Sequence, residues 1–292
     1  MRVRAVQKEK SGEIRAAEWV DRTRDPYAEG DILWVPVRSS EPCDREIPER
    51  KRYRGRGYYL VGDIAVLHGE EPSFHEIEAI AGFCHPRGIL WIKSLQDITR
   101  TPETQMVWGS GGEVCHKEAG LSYILDPEKV MFSMGNREEK ARLAKMVQNS
   151  PFPERVADMF AGIGYFSLPL AGAGADIHAM EINPVAFGYL VRSIGANNLS
   201  GRITPSLGDC RTLLAGTYDR IVMGHFAAVT MLPDALRHAA SGSIIHVHSI
   251  GPAEEQIRAH AEGAGFSATI HVHKVKKYRP HAWHVVQDVH LA

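Results

Sequence analysis

Asp158, Glu181 and Asp209 are the residues whose type and spacing first suggest chemistry, because each ends a short apolar run and stands just ahead of a helix-compatible segment. The first lies in Asp158-Met159-Phe160-Ala161-Gly162-Ile163-Gly164-Tyr165-Phe166, where a buried strand from Arg155 to Ala161 turns sharply into a helix near Tyr165. Gly162 and Gly164 let backbone approach a ligand closely and leave helix N–H groups directed at it. Asp158 can accept from an amine or a hydroxyl. Glu181 ends a second strand, Asp176 to Glu181, before a helix opened by Asn183-Pro184; an acid there can take both hydroxyls of a ribose. A third strand, around Ile203 to Leu207, delivers Gly208-Asp209-Cys210, and Asp209 is placed to accept from an adenine amino group.

Three acidic strand ends on successive β-α units describe an adenosine pocket with no pyrophosphate clamp. That suits S-adenosylmethionine better than a dinucleotide. The competing reading is that the three acids merely cap helices.

The elements that must position these groups call for a sizeable chain. With 292 residues, 44% of them hydrophobic, two domains are expected. We place an α+β region, expected to contact RNA, at residues 1–150, with 1–58 as a candidate segment of its own, and a nucleotide-binding domain at 151–292. No apolar run approaches a membrane span, and Met1-Arg2-Val3-Arg4 lacks the apolar core of a signal peptide, so a soluble cytoplasmic protein is expected. Cys43, Cys84, Cys115 and Cys210 lack paired spacing, which argues against a disulfide framework or a zinc knuckle. The net charge is −1 and neither half is basic, so nucleic-acid contact must come from local patches.

One such patch is Arg50-Lys51-Arg52-Tyr53-Arg54-Gly55-Arg56-Gly57-Tyr58-Tyr59, where cations alternate with tyrosines and glycines that could pair with phosphates and stack on bases. A strand from Tyr59 to His68 follows, then an amphipathic helix from Ser73 to Cys84 with Ile77, Ile80, Ala81 and Cys84 inward. Strands are expected at Gly88 to Lys93, Gln105 to Trp108, Glu113 to Lys117 and Leu121 to Leu125. Phe132-Ser133-Met134-Gly135-Asn136 opens a charged helix to about Gln148, with Asn136 as N-cap and Glu139 completing a capping box. Lys140 and Arg142 near the start of that helix oppose its dipole, which points to a ligand carboxylate as their partner.

In the second half a fourth strand, Asp219 to Met223, runs into Gly224-His225-Phe226-Ala227. Enzymes that methylate a ring or amino nitrogen often place Asn or Asp with prolines here, so that a side-chain oxygen holds the nitrogen. None of these groups is present. A fifth strand (Gly242 to His248), a helix (Pro252 to Ala264) and a closing hairpin (Ala268 to Tyr278, His281 to Leu291) complete the chain. The triplets His246-Val247-His248 and His271-Val272-His273 put paired histidines on one strand face, yet no acid or cysteine stands at ligand spacing, so no metal is expected. Lys274, Lys276, Lys277 and Arg279 form a second basic patch, readable as phosphate contacts or as a lysine-protected strand edge.

Taken together, Asp158 to Phe166, Glu181-Ile182-Asn183-Pro184, Gly208-Asp209-Cys210, the Phe132-Ser133 to Lys140 segment and the tail from Val275-Lys276-Lys277-Tyr278 to His284-Val285-Val286-Gln287-Asp288 resemble one family. It is the archaeal and eukaryotic group of tRNA-modifying enzymes that contains the tRNA guanine-N1 methyltransferase and the wybutosine-synthesising aminocarboxypropyltransferase. The resemblance runs from about residue 60 to the end, in pieces. It implies an α/β fold, a Rossmann-like class I S-adenosylmethionine-dependent transferase domain with a smaller N-terminal α+β domain. It also implies tRNA as partner, with no membrane, metal or protein partner evident.

Gly164-Tyr165-Phe166, Ser133-Met134-Gly135-Asn136 and Met223-Gly224-His225 resemble the aminocarboxypropyl branch, whereas the methyltransferase branch usually carries Gly-Pro-Phe and Asn-Leu-Pro at the first and last of these. The resemblance puts donor contacts on Ser133 and Lys140 near the methionine moiety, Glu181 at the ribose, and Asp209 with Cys210 at the adenine. Asp158, Phe160, Gly162 and Gly164 complete the expected donor site. RNA contacts are expected at Arg50, Lys51, Arg52, Arg54, Lys276 and Lys277. His225 stands where Tyr is usual in this branch and is the nearest candidate for a general base. Methyl transfer to guanine in the same tRNA, and a cofactor-binding tRNA chaperone without turnover, are the alternative functions.

Overall fold

A computed structural model describes residues 1–48, 53–96, 100–279 and 281–292. The chain divides into two compact units, Met1–Arg54 and Gly55–Ala292. The first is a four-stranded sheet in the order β2-β3-β1-β4, built from β1 (Arg2–Gln7), β2 (Tyr27–Glu29), β3 (Ile32–Pro36) and β4 (Arg45–Glu46), with Val3, Val35 and Val37 buried.

The second unit opens with the sheet β5-β6-β7-β8: β5 (Tyr59–Val61), β6 (Ile64–His68), β7 (Gly88–Gln96) and β8 (Thr101–Gly109). The strand expected from Tyr59 to His68 is a hairpin, because Gly62 and Asp63 form a two-residue turn between the paired Val61 and Ile64. Helix α1 (Phe74–Cys84) carries a capping box between Ser73 and Glu76 and buries Ile80, on the expected stripe. A ribbon of β9 (Val114–Glu118) and β10 (Leu121–Leu125) follows.

Helix α2 (Arg137–Gln148) starts after a 3-10 turn at Met134–Asn136. The expected capping box at its start is absent. Asn136 makes no side-chain cap bond, and the Glu139 carboxylate instead accepts from Arg142 Nε at 2.8 Å and Nη2 at 2.7 Å.

The remainder is one seven-stranded sheet ordered β13-β12-β11-β14-β15-β17-β16. Its strands are β11 (Arg155–Asp158), β12 (Asp176–Glu181), β13 (Ile203–Leu207), β14 (Arg220–Met223), β15 (Ile244–Ile250), β16 (Ala268–Arg279) and β17 (Ala282–Leu291). The first five are parallel, and β17 is antiparallel to β15 and β16. Helices α3 (Ser167–Gly172), α4 (Pro184–Ala196), α5 (Cys210–Leu213), α6 (Leu232–Leu236) and α7 (Glu254–Gly263) connect them. Strand order reverses between β11 and β14, so a crevice opens at their carboxyl ends, the usual ligand position in such sheets.

Residue 150 is not a boundary between compact units. One apolar cluster runs from Val61, Leu90 and Phe132 to Leu168, Ala179 and Val222, across that point. The free edge of β10 is closed by α4: the Ile124 N–H donates to Ser193 Oγ (3.0 Å), and the Ser122 N–H donates to Asn197 Oδ1 (2.9 Å). Such pairing satisfies backbone groups that an unpaired strand edge would present.

A chain of buried polar groups ties α2 to the sheet. Arg142 donates to Asp288 through Nη1 (2.6 Å) and Nη2 (2.9 Å), and Arg220 holds Glu154 through Nε (2.6 Å) and Nη2 (2.8 Å). His246 joins the two pairs, with Nε2 2.6 Å from Arg220 Nη1 and Nδ1 2.6 Å from Asp288 Oδ1. Burial pushes its pKa down. Arginine is only a donor, so the neutral ring accepts at Nε2 and donates from Nδ1–H to Asp288. Burial raises the Asp288 carboxyl pKa, but the bonds from His246 and Arg142 outweigh it and hold the group ionised.

Arg220→Met should therefore destabilise the larger unit by about 3–5 kcal/mol, since Glu154 would stay buried as a lone charge. Adding Glu154→Leu should recover most of that loss. Urea midpoints of the single and double variants check this; equal midpoints would mean that the stranded charge is not what matters.

Candidate active site

The crevice is a cavity of about 590 Å³ whose floor is made by the strand ends. Phe160 and Gly162 come from the turn after β11, Glu181 from β12, Asp209 and Cys210 from the end of β13, and His225 and Phe226 from the end of β14. Ser133 on the segment before α2, with Lys276 and Lys277 on β16, also lines the cavity. Sequence-predicted residues from six separated stretches are thus brought together. Three are not: Asp158, Gly164 and Lys140 do not line the cavity.

Asp158 is fully buried and accepts from Ser167 Oγ at 2.7 Å, so it anchors the start of α3. Lys140 is 3% exposed, paired with Glu118, and stands 5.1–5.9 Å from the ring centroids of Tyr123, Phe132 and Tyr165. Burial lowers its pKa, and Glu118 opposes that shift. The ligand carboxylate expected beside Lys140 and Arg142 has protein substitutes: Glu118 answers the first, Glu139 and Asp288 the second.

The glycine turn is occupied by its own chain. The Gly162 N–H donates to Glu181 (2.7 Å), and the N–H groups of Gly164 and Tyr165 donate to the Ala161 carbonyl (2.8 and 3.3 Å). Contrary to the sequence expectation, these donors do not face a ligand. Gly162 (φ 57°) is needed for space, because a Cβ there would lie 2.7 Å from the Tyr165 ring. The turn offers close backbone surface rather than an anion cradle, as a nucleoside without pyrophosphate requires.

Glu181 accepts from Gly162 N and from Asn183 N (2.6 Å), one bond at each carboxylate oxygen. Each oxygen keeps a further lone pair for a hydroxyl. Burial raises its pKa, and the backbone donors pull the other way. Asp209 lines the cavity but also caps α5 through Arg211 N (2.9 Å) and pairs with the Arg211 guanidinium, which holds its carboxyl below the usual range. Burial pushes the neighbouring Cys210 thiol up to about 11, so it is an apolar wall.

His225 stacks on Phe160, with ring centroids 5.3 Å apart and planes 27° from parallel. Its Nδ1 accepts from the Ala227 N–H at 3.1 Å. A neutral ring so held carries its proton on Nε2, so neither ring nitrogen keeps the lone pair a general base needs.

His284, which sequence reasoning missed, also lines the cavity. Its Nε2 lies 2.9 Å from His248 Nδ1, and burial, then Lys276 and Arg100, pull its pKa down to about 4. The register of β17 against β15 puts it there, and that pairing is invisible in a single sequence. Arg100, also on the wall, was likewise missed. Arg50, Lys51 and Arg52 lie outside the described residues, and Arg54 is exposed. Among the described residues no group of three or more His, Cys, Asp or Glu side chains could hold a metal ion.

The sequence matches the TRM5/TYW2 methyltransferase domain over residues 114–276. The chain belongs to this family. It is 34% identical, over 80% of its length and 97% of the relative's, to the tRNA(Phe) (4-demethylwyosine(37)-C(7)) aminocarboxypropyltransferase of Methanocaldococcus jannaschii. Among solved structures, TYW2 of P. horikoshii in complex with MeSAdo superposes with a TM-score of 0.71 at 29% identity, over 82% of this chain and 92% of that one. Trm5b from Pyrococcus abyssi gives 0.76 at 26% identity, over 99% of both chains. The TRM5/TYW2 family thus spans two reactions on one scaffold, and the Rossmann-like class I fold expected from sequence is confirmed.

Beneath the cavity lining of this TRM5/TYW2 fold, burial raises the Asp158 carboxyl to about 6. An acid with a raised folded-state pKa favours the fold while protonated. Its contribution is full below the ordinary aspartate value of about 4 and is lost as pH rises through the folded value. Asp158→Asn should remove a slope worth on the order of 2–3 kcal/mol between about pH 4 and 6. Urea unfolding of wild type and variant across that range tests this, and parallel curves would contradict it.

Proposed function

We propose that the protein transfers the 3-amino-3-carboxypropyl group of S-adenosylmethionine to C7 of 4-demethylwyosine beside the anticodon of tRNA(Phe). The observation that carries this reading is the end of β14. Where a nitrogen-methylating site needs a side-chain oxygen, the cavity has Gly224, His225 stacked on Phe160, and Phe226. A flat aromatic surface suits a tricyclic base that reacts through a ring carbon, since such a nucleophile must be stacked and aimed rather than held by a hydrogen bond. The relative from M. jannaschii supports the choice of reaction and acceptor.

The donor supplies a sulfonium, and with it an electrophilic carbon on each of three arms. The residues decide which arm is used. Glu181 would take the ribose hydroxyls, and Gly208, Asp209 and Cys210 would border the adenine, leaving the amino-acid arm to reach Ser133 across the cavity. Attack by the ring carbon on the arm's γ-carbon breaks the carbon–sulfur bond. The electron pair stays on sulfur, neutral methylthioadenosine leaves, and the ring carbon loses its proton. Catalysis is mainly positioning.

A tRNA substrate supports a cytoplasmic location. No described helix is long and apolar enough to cross a membrane. The basic segment Arg50 to Arg54, with Lys277, is the proposed backbone contact for the RNA.

The full-length fold likeness to Trm5b favours guanine-N1 methylation as the second reading. Co-product identity separates the two. Incubation of the pure protein with labelled S-adenosylmethionine and demethylwyosine-containing tRNA should release methylthioadenosine; release of S-adenosylhomocysteine from guanosine-containing tRNA supports the alternative. No turnover of either would leave a binding protein. Glu181→Ala should weaken donor binding by roughly 1–3 kcal/mol, the loss expected when a hydrogen bond to a carboxylate goes. Calorimetry measures it, and unchanged affinity would remove the ribose assignment.

A further inference from the structure

Strand β16 pairs with β17 through an irregular register: Lys274 stands opposite Val285, and Lys276 opposite His284, so Val275 is an extra, bulged residue. Without it Lys276 would oppose Trp283. Directly opposed residues share a face, so the bulge moves Lys276 onto the face of His284, a cavity residue. Lys274 keeps to the other face, its ammonium 5.4 Å from the Trp283 ring centroid.

So aimed, Lys276 Nζ lies 3.4 Å from Ser133 Oγ and passes over Gly135, where a Cβ would stand 2.7 Å from Nζ and 2.6 Å from Cδ. Arg100, on the same wall, has its guanidinium 5.1 Å from the Phe226 ring centroid. Among the described residues the charged groups that act on Lys276 are Arg100 and Lys140, both cations, and no carboxylate pairs with it. Burial first, then those two cations, lowers its pKa, a cost that a bound anion would relieve. The cations on α2, by contrast, are answered by protein acids.

We propose that Lys276, assisted by Arg100, binds the α-carboxylate of the donor's amino-acid arm at Ser133 and thereby decides where that arm points. This rests on the proposed function only in placing the adenosine end at Glu181 and Asp209. The carboxylate is the one anionic group of S-adenosylmethionine, and of the cations lining the cavity Lys129 is paired with Asp126 and Arg211 with Asp209, which leaves Arg100, Lys277 and Lys276, the last beside Ser133, to receive it. Lys276 is then a donor-binding residue rather than a phosphate contact for RNA.

Two thioether probes isolate the arm: S-adenosylhomocysteine carries it and methylthioadenosine does not. Lys276→Gln should weaken S-adenosylhomocysteine binding by roughly tenfold or more, the scale of a lost charge-assisted bond. Methylthioadenosine affinity should be unchanged, which also reports a folded site. Lys276→Arg should restore most of the difference, and Arg100→Gln should shift the same ratio. Equal loss of both ligands, no loss of either, or weaker tRNA binding with S-adenosylhomocysteine binding intact would overturn the proposal. Because both probes are indifferent to which group is transferred, this comparison can succeed if the co-product assay returns S-adenosylhomocysteine, and can fail if it returns methylthioadenosine.

Discussion

The ion pair between Arg142 and Asp288 is the constraint on which the cavity depends. It joins a helix that precedes the nucleotide-binding strands to the last strand of the chain, with both guanidinium Nη groups on one carboxylate. The segment before that helix carries Ser133, and the hairpin containing Asp288 carries Lys276 and His284, so the pair fixes two walls of the site against each other. Its surroundings explain why it is retained despite the desolvation it costs. His246, Arg220 and Glu154 continue the chain of charges under the sheet, so each buried donor meets an acceptor.

Above that foundation the cavity is polarised. Carboxylates of Glu181 and Asp209 stand at strand ends on the β12–β13 side, while Lys276 and Arg100 stand with Ser133 on another wall. Two of the lining histidines are constrained: His284 is pulled well below the ordinary histidine range, first by burial, and His225 has its Nδ1 tied to backbone. In the proposed pose, a ligand with hydroxyls and an amine at one end and a carboxylate at the other would meet complementary groups along its length. Its sulfonium, midway, would in that pose meet aromatic and apolar surface rather than a carboxylate that would neutralise it and dull its electrophilicity.

Much of this was legible in the sequence, for identifiable reasons. Acidic ends on short apolar runs are a local signal, and Glu181 and Asp209 stand in the cavity where that signal placed them. Strand β10 and helix α1 follow the expected spans to within a residue because their period and caps are local too. What failed was pairing. Lys140 and Arg142 opposed a helix dipole and seemed to await a ligand, yet Glu118 and Asp288, distant in sequence, reach them in the fold. Side chains of α4 that cap β10 likewise join stretches on either side of residue 150 that no local signal links. Asp158 obeyed the strand-end pattern and still turned inward to Ser167, since a carboxylate beside a helix start can serve the protein as well as a ligand. A bulge shifts a side chain from one face to the other by a single residue, so no periodicity could have put Lys276 in the cavity.

The likeness of the whole chain to Trm5b, slightly greater than to TYW2, illustrates why scaffold and reaction must be argued separately. Backbone superposition is dominated by strands and helices that both reactions need, namely a sheet to carry the nucleoside and a second layer to close over it. On the proposed reading, the reaction is decided by a few side chains at the end of β14 and by the direction of the donor's arms. A guanine nitrogen must shed a proton as it is alkylated, so it needs an oxygen or nitrogen lone pair close by. The end of β14 supplies rings, and its one imidazole has Nδ1 committed to the Ala227 N–H. An electron-rich ring carbon makes a different demand. It forms its bond first and loses its proton afterwards from a cationic ring, where solvent at the cavity mouth can take it. Aromatic stacking at the acceptor and cations at the donor's carboxylate are therefore consistent with each other: each fixes one end of the line along which the γ-carbon must move.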